Sequence, residues 1–285
     1  MIDMVAKLLD GKTAAEAWQA ELAAQLRALP SPPKLVLVRV GDDPASGIYV
    51  KKKIEMCAKI GITSELVHLP QETSEAALLS RISSLNADKS AHGILVQVPL
   101  PKQIDALNVQ KAIHPFKDVD GFGPKSMGYL LMGRPRFVAA TPAGIMRLLA
   151  HYKLDVAGKH CVVVGRSNIV GKPLAILLLQ EDATVTMAHS KTKNLAAITK
   201  QADFLFVAVG KANLITKDMV KKGAVVVDVG MNKNKDGKSC GDVDFKGVSP
   251  VASFITPVPG GVGPMTIMSL MANTLKACEF QNGKN

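Results

Sequence analysis

No Cys-x-x-Cys pair occurs in these 285 residues, and Cys57, Cys161, Cys240 and Cys278 stand far apart. That spacing argues against a zinc site and a disulfide framework, and it suits buried, reduced thiols in a cytoplasmic protein. No metal is expected. Aromatic residues make up only 4% of the chain. Burial therefore falls to valine, leucine, isoleucine and alanine, as in parallel-sheet α/β proteins. No apolar run reaches the ~18 residues of a membrane span. The opening stretch MIDMVAKLLDGK is too short in its apolar run, and too interrupted by acids, for a signal peptide. Internal repeats and low-complexity segments are also missing.

Acidic residues are outnumbered, 24 against 35, for a net charge of +11. A basic balance points to an anionic partner (nucleic acid, anionic membrane or a charged small ligand) or serves plain solubility. The cations are scattered with little aromatic interleaving, so a charged small ligand fits better than a nucleic acid, and no membrane partner is expected. The length suits two lobes of ordinary size.

Strand and helix patterns alternate along the first half. Lys34–Val40, Thr63–Leu69 and Gly93–Val98 read as strands, with helices at Ser46–Ile60, Ser74–Leu85 and Ala106–Ile113. Thr13 to Glu16 reads as a capping box ahead of a first helix. Residues Phe116–Arg136, rich in glycine, proline and aspartate, read as a loop-bearing hinge. Thr141-Pro142 starts another helix, with Thr as cap. A second alternating series has strands at His160–Val164, Thr184–Ala188, Phe204–Val209 and Ala224–Val229. Asn232–Lys246 reads as an exposed polar excursion, Thr256–Gly263 as irregular, and Met265–Glu279 as a final amphipathic helix. The expected fold is two α/β lobes on parallel sheets with right-handed crossovers, the second of Rossmann type.

The second series opens on VVGRSNIVGKP, Val163–Pro173. A buried strand, a glycine turn and a helix aim backbone N–H groups at a phosphate. The spacing is Gly-x-Ser-x-x-x-Gly rather than Gly-x-Gly-x-x-Gly. Missing too is the acid that NAD sites place at the end of the next strand; His189, Ser190 and Lys191 stand there. Arg166 lies in the turn itself. An arginine, a serine hydroxyl and a lysine suit a 2′-phosphate, which favours NADP over NAD.

Other residues carry two readings each. Lys51, Lys52 and Lys53 look like a solvated surface. Yet Lys53 shares a helix stripe with Tyr49, Cys57 and Ile60, so it projects along the apolar face, where desolvation pushes an amine toward neutrality. Gln97, at the carboxyl end of a buried strand, is a satisfied core amide or a contact for substrate or catalyst. Asp118 and Asp120 in KDVDGF make a turn, or one of them reads the amino groups of a heterocycle. Pro259, Gly260, Gly261, Val262 and Gly263 make a tight connection, or let backbone approach a flat ligand.

Six segments occur in order: S-x-x-Y-x-x-x-K at Ser46–Lys53, VQVPLP at Val96–Pro101, KDVDGF at Lys117–Phe122, TPAG at Thr141–Gly144, VVGRSNIVGKP, and ITPVPGGVGPMT at Ile255–Thr266. Together they resemble the bifunctional methylenetetrahydrofolate dehydrogenase/methenyltetrahydrofolate cyclohydrolase family over essentially the whole chain. The resemblance implies a homodimer with a folate cleft between its lobes and a C-terminal helix packing back on the first lobe. The lobes are then 1–140 plus 264–285, binding folate, and 141–263, binding NADP. It implies oxidation of 5,10-methylenetetrahydrofolate by NADP⁺, then hydrolysis of the methenyl cation to 10-formyltetrahydrofolate.

By position, the resemblance makes Lys53 the general acid/base for hydrolysis, with Gln97 hydrogen-bonded to it. A cationic substrate would itself lower the pKa of that lysine. Tyr49 packs on the folate ring and Asp120 binds the pterin, which completes a catalytic set of Tyr49, Lys53, Gln97 and Asp120. Val96, Val98 and Pro259–Gly263 border the folate. Gly165, Arg166 and Ser167 hold the cofactor phosphates, with Ser190 beside Arg166 at the 2′-phosphate, and Met231 lies by the nicotinamide. The chain departs from the family at Met231, Gly123, Ser126 and Ala140, none of them a proposed catalytic group. The net charge suggests a preference for polyglutamylated folates. Two other readings remain: an NAD(P)-dependent dehydrogenase with little cyclohydrolase activity, and a non-enzymatic basic binding protein.

Overall fold

The computed structural model describes residues 6–234 and 237–283. The first five residues of the opening stretch, positions 235–236 of the polar excursion and the last two residues lie outside it. The chain forms two units, residues 17–140 with 267–285 and residues 1–16 with 141–266.

The first of these units is built on a parallel sheet of β2 (Lys34–Val40), β3 (Thr63–Leu69) and β4 (Gly93–Val96), in the order β3-β2-β4. The central strand reads KLVLVRV, and its four residues Leu35–Val38 are fully buried, as a strand covered on both faces requires. Helix α2 (Pro44–Ile60) starts where the Asp43 carboxylate accepts the Ser46 N–H at 2.7 Å and stops at Gly61, left-handed at φ 93°. Helix α3 (Glu75–Ala87) packs Leu78, Ile82 and Leu85 against the sheet. Each such side chain contributes roughly 1.5–3 kcal/mol of burial. Helix α4 (Ala106–Ala112) follows β4.

The hinge reading of Phe116–Arg136 is corrected, because Pro124–Leu131 is a helix, α5. Gly123 precedes it and Pro124 opens its first turn, so residues that look like loop punctuation are a helix start. From Ile267 on, the long C-terminal helix α10 (Val262–Gln281) belongs to this unit. Asn273 Nδ2 donates to the carbonyls of Val119 (2.8 Å) and Val138 (2.9 Å), and Gln281 Nε2 donates to that of His92 (2.8 Å). The helix therefore packs back on the first lobe as expected.

The other unit has the strands β1 (Lys7–Leu8), β5 (His160–Val164), β6 (Thr184–Ala188), β7 (Phe204–Val207), β8 (Val225–Asp228) and β11 (Phe254–Ile255), with β9 (Asn232–Lys233) and β10 (Ser239–Cys240) paired as a separate antiparallel ribbon. The first six form one sheet in the order β1-β11-β8-β7-β5-β6, parallel throughout. Val162, Val164, Leu205, Val207 and Val226 form its core. Helix α7 (Gly171–Gln180) crosses from β5 to β6, the short α8 (Leu195–Thr199) lies between β6 and β7, and α9 (Phe245–Val248) precedes β11. Residues 1–16 differ from the expected division. They count with this unit because β1 pairs with β11, with Lys7 N–H on the Ser253 carbonyl and Leu9 N–H on that of Ile255, both 2.9 Å.

Three local expectations shift. Helix α1 (Gly11–Arg27) begins before Thr13, because the Asp10 carboxylate accepts the Lys12 N–H and the Thr13 hydroxyl. Helix α6 (Ala140–His151) already includes Thr141, whose Oγ1 accepts a bond from Thr266 Oγ1 at 3.1 Å. Val262 and Gly263 are the first turn of α10, not irregular loop. Among the described residues no helix is long and apolar enough to cross a membrane.

Candidate active site

Lys53 stands in the third turn of α2, four residues after Tyr49. Lys51 and Lys52 are exposed, as a solvated run should be, while Lys53 is partly buried. Its Nζ donates to Gln97 Oε1 at 2.9 Å. Gln97 follows β4, and its Nε2 donates to the Val98 carbonyl at 2.7 Å. That second bond turns the amide so that its oxygen faces the lysine. Gln97 thus has a partner on each end of its amide, Lys53 and the Val98 carbonyl.

Burial pulls the pKa of Lys53 below the ordinary lysine value, and the Asp120 carboxylate opposes the shift. Burial likewise pushes Asp120 up, opposed by Lys53. Both groups are thus driven toward their neutral forms, the condition for a lysine to exchange protons near neutral pH. Tyr49, on the same helix, is also raised by burial. Cys57, one turn beyond Lys53, is pushed by burial to about 12 and is no thiolate.

Asp118 and Asp120 differ in their surroundings. Asp118 makes the turn. Its carboxylate accepts from Ser126 Oγ (2.6 Å), Gly123 N–H (2.9 Å) and Phe122 N–H (3.3 Å). Burial raises its pKa to about 6 against those donors. Asp120 is left to face Lys53. Lys117 of the same motif is buried and structural, its Nζ donating to the carbonyls of Leu85 (2.9 Å) and Asp88 (2.6 Å). A cavity of about 20 Å³ is lined by Val96, Val98, Asp118, Asp120 and Phe122, among others. It brings together Val96, Val98 and Asp120 of the expected set, and Lys53 and Gln97 lie outside its lining.

In the other unit, β5 ends at Val164 and the chain turns at Gly165, φ +129°. A Cβ there would press into the Ala208 carbonyl, and one at Gly171 into the carbonyl of Gly165. Only bare backbone fits. Ser167 Oγ accepts from the N–H groups of Val170 (3.1 Å) and Gly171 (3.3 Å), which ties the turn to the start of α7. Arg166, Ser167 and Asn168 are exposed above it. Beyond β6 come Ser190, Lys191 and Lys193, all exposed, and no acid. His189 Nδ1 accepts the Lys191 N–H at 3.2 Å, a local turn contact. A glycine cradle at a strand end, a helix N-terminus and an exposed arginine fit a dinucleotide with a phosphorylated ribose.

Met231 is 51% exposed. In the proline–glycine loop, Pro259 is exposed while Gly261 and Val262 are buried. Gly261 fits against Thr256, and Gly11 N–H donates to the Gly260 carbonyl at 2.9 Å, so part of the loop is a packing joint. Sequence reasoning missed Asp228 and Asp242, both buried in this unit. Among the described residues no group of three His, Cys, Asp or Glu could hold a metal ion.

Comparison with known proteins agrees with this geometry. Residues 9–120 match the catalytic domain of tetrahydrofolate dehydrogenase/cyclohydrolase, and residues 139–282 match its NAD(P)-binding domain. The bifunctional protein FolD of Polaromonas sp. is 55% identical over 97% of this chain and 99% of its own. The crystal structure of the FolD dehydrogenase/cyclohydrolase from Campylobacter jejuni superposes with a TM-score of 0.93 at 47% identity, over 96% of this chain and 99% of that one. The Trypanosoma brucei enzyme, solved with NADP cofactor and inhibitor, gives 0.93 at 35% identity over 98% and 99%. The chain belongs to the tetrahydrofolate dehydrogenase/cyclohydrolase family.

Proposed function

We propose that this chain oxidises 5,10-methylenetetrahydrofolate to the 5,10-methenyl cation with NADP⁺ and hydrolyses that cation to 10-formyltetrahydrofolate. The observation that carries the reading is the 2.9 Å bond between a partly buried Lys53 and Gln97. NADP⁺ supplies the hydride acceptor when bound. Loss of hydride from the one-carbon bridge leaves a cation, which repels an ammonium and adds to the pull of burial on Lys53. As the free amine, Lys53 accepts a proton while water adds to the bridge carbon. The hydroxyl proton then passes to the departing ring nitrogen, the C–N bond opens to the formyl group, and the proton on Lys53 leaves to solvent. Gln97 keeps the amine aimed through the step.

In this reading residues 17–140 with 267–285 bind folate and the other unit binds the cofactor. Tyr49 packs on the folate ring, Asp120 binds the pterin, and Val96, Val98 and Pro259–Gly263 border it. Gly165 and Ser167 hold the phosphates, Arg166 and Ser190 take the 2′-phosphate, and Met231 meets the nicotinamide. The absence of an acid after β6 supports NADP over NAD. The protein acts as a cytoplasmic homodimer, supplies formyl groups for purine synthesis, and with its charge of +11 favours polyglutamylated folates.

The test is a two-wavelength assay of the purified protein with methylenetetrahydrofolate and either nucleotide. NADPH should form without accumulation of the methenyl species, and NAD⁺ should serve poorly. Accumulating methenyl species would mean a dehydrogenase without useful hydrolysis, equal use of NAD⁺ would remove the role of Arg166, and no reduction of either nucleotide would sink the reading.

A further inference from the structure

Asp242 is fully buried, although it lies in a polar, glycine-bearing stretch that reads as exposed. Its Oδ2 accepts the N–H groups of Val209 (2.7 Å) and Gly210 (3.0 Å). Its Oδ1 accepts those of Lys211 (2.8 Å) and Asn232 Nδ2 (2.9 Å). Three successive backbone N–H groups turned on one anion form a nest of the kind that binds phosphates. Here the protein fills the nest with its own carboxylate.

A second buried carboxylate lies beneath the first. Asp228, at the carboxyl end of β8, accepts from the N–H groups of Gly230 (2.9 Å), Asp242 (3.0 Å) and Val243 (2.9 Å). Its own N–H donates to Thr256 Oγ1 at 2.7 Å. No space separates these parts: a Cβ on Gly230 would press into Asp242, and one on Gly241 into Asp228. Two buried carboxylates are costly unless every oxygen is used, and here every oxygen accepts at least one bond.

The first of these segments starts at the cofactor turn. Val209–Lys211 continues from Ala208, whose carbonyl abuts Gly165, and Asn232 follows Met231. Beyond Val207 and Asp228 the six-stranded ladder has stopped, so Val209–Lys211 has no partner in it, and Asn232 pairs only with Cys240 in a separate two-stranded ribbon. We propose that Asp242, seated on Asp228, is a positioning residue for the dinucleotide site, fixing the Val209–Lys211 loop and the Met231–Asn232 segment against the Gly165 turn. This rests on the functional reading above.

The test is Asp242→Asn in the full chain. The amide keeps the shape but places a donor against N–H groups on one side or the other. The KM for NADP⁺ should rise about tenfold while the KM for folate moves less than about twofold, raising the ratio of hydrolysis to dehydrogenation in kcat/KM by about tenfold. A merely structural acid would lower both activities together and leave both KM values in place, and that result overturns the assignment. If Asp242→Asn is insoluble, Asn232→Ala decides. It removes one of the four bonds, and the NADP⁺ KM should rise about threefold; an unchanged value overturns the role. Wild-type protein that forms no NADPH would overturn the functional reading and the positioning role with it, whereas normal wild-type turnover with an unaltered Asp242→Asn overturns the positioning role alone.

Discussion

Lys53 and Gly165 belong to different units and are specified in opposite ways. Around Lys53 the chemistry is in side chains: an amine, an amide and a carboxylate, brought together by a helix, a strand end and a turn. Around Gly165 it is in their absence, because a single added carbon would strike the Ala208 backbone. The first site should fail when a side chain is removed, and the second when one is added. Both lean on buried carboxylates that touch no proposed reactant. Asp118 holds the turn that carries Asp120, and Asp242 holds the loop after β7.

Lys53→Met should give the largest effect. Hydrolysis of the methenyl species falls by about 10²–10⁴, the usual weight of a general acid/base, while NADPH formation falls far less. Parallel loss of both activities would break the division. Gly165→Ala is the mirror image. Its KM for NADP⁺ should rise about 100-fold from a displaced turn, while hydrolysis of preformed methenyl substrate continues. Unchanged cofactor kinetics would show that the turn is not the phosphate site.

A smaller effect sharpens the comparison through pH. Burial raises Asp118 to about 6, above its ordinary 3.8. A raised carboxyl favours the folded state fully below pH 3.8, and that contribution is lost as pH rises through about 6. Wild type should therefore lose roughly 2–3 kcal/mol relative to Asp118→Asn between pH 4 and pH 7. Denaturant titrations of both proteins at the two pH values measure it. A difference that does not change with pH contradicts the shift.

Much of this was legible in the residues, and the failures have a common cause. Strands β2, β3, β5 and β6 match their expected bounds to the residue, because runs such as KLVLVRV and HCVVV are short, rich in valine and stopped by a glycine. Lys53 was separable from Lys51 and Lys52 by helix spacing alone. Gln97 was not decidable, since its partner is 44 residues away. Helix α5 was missed because Gly123-Pro124 signals a turn and a helix start equally well. Asp242 could not be found at all. Its burial depends on N–H groups 31–33 residues earlier, and a polar stretch with two glycines gives no sign of them.

The division of labour between the two units is tested most directly by one progress curve. Lys53→Met is mixed with methylenetetrahydrofolate and NADP⁺, and NADPH and the methenyl species are followed together. The account predicts that both rise in step, one methenyl cation left standing for each NADPH formed. A methenyl signal that stays flat while NADPH rises would show that hydrolysis does not depend on Lys53.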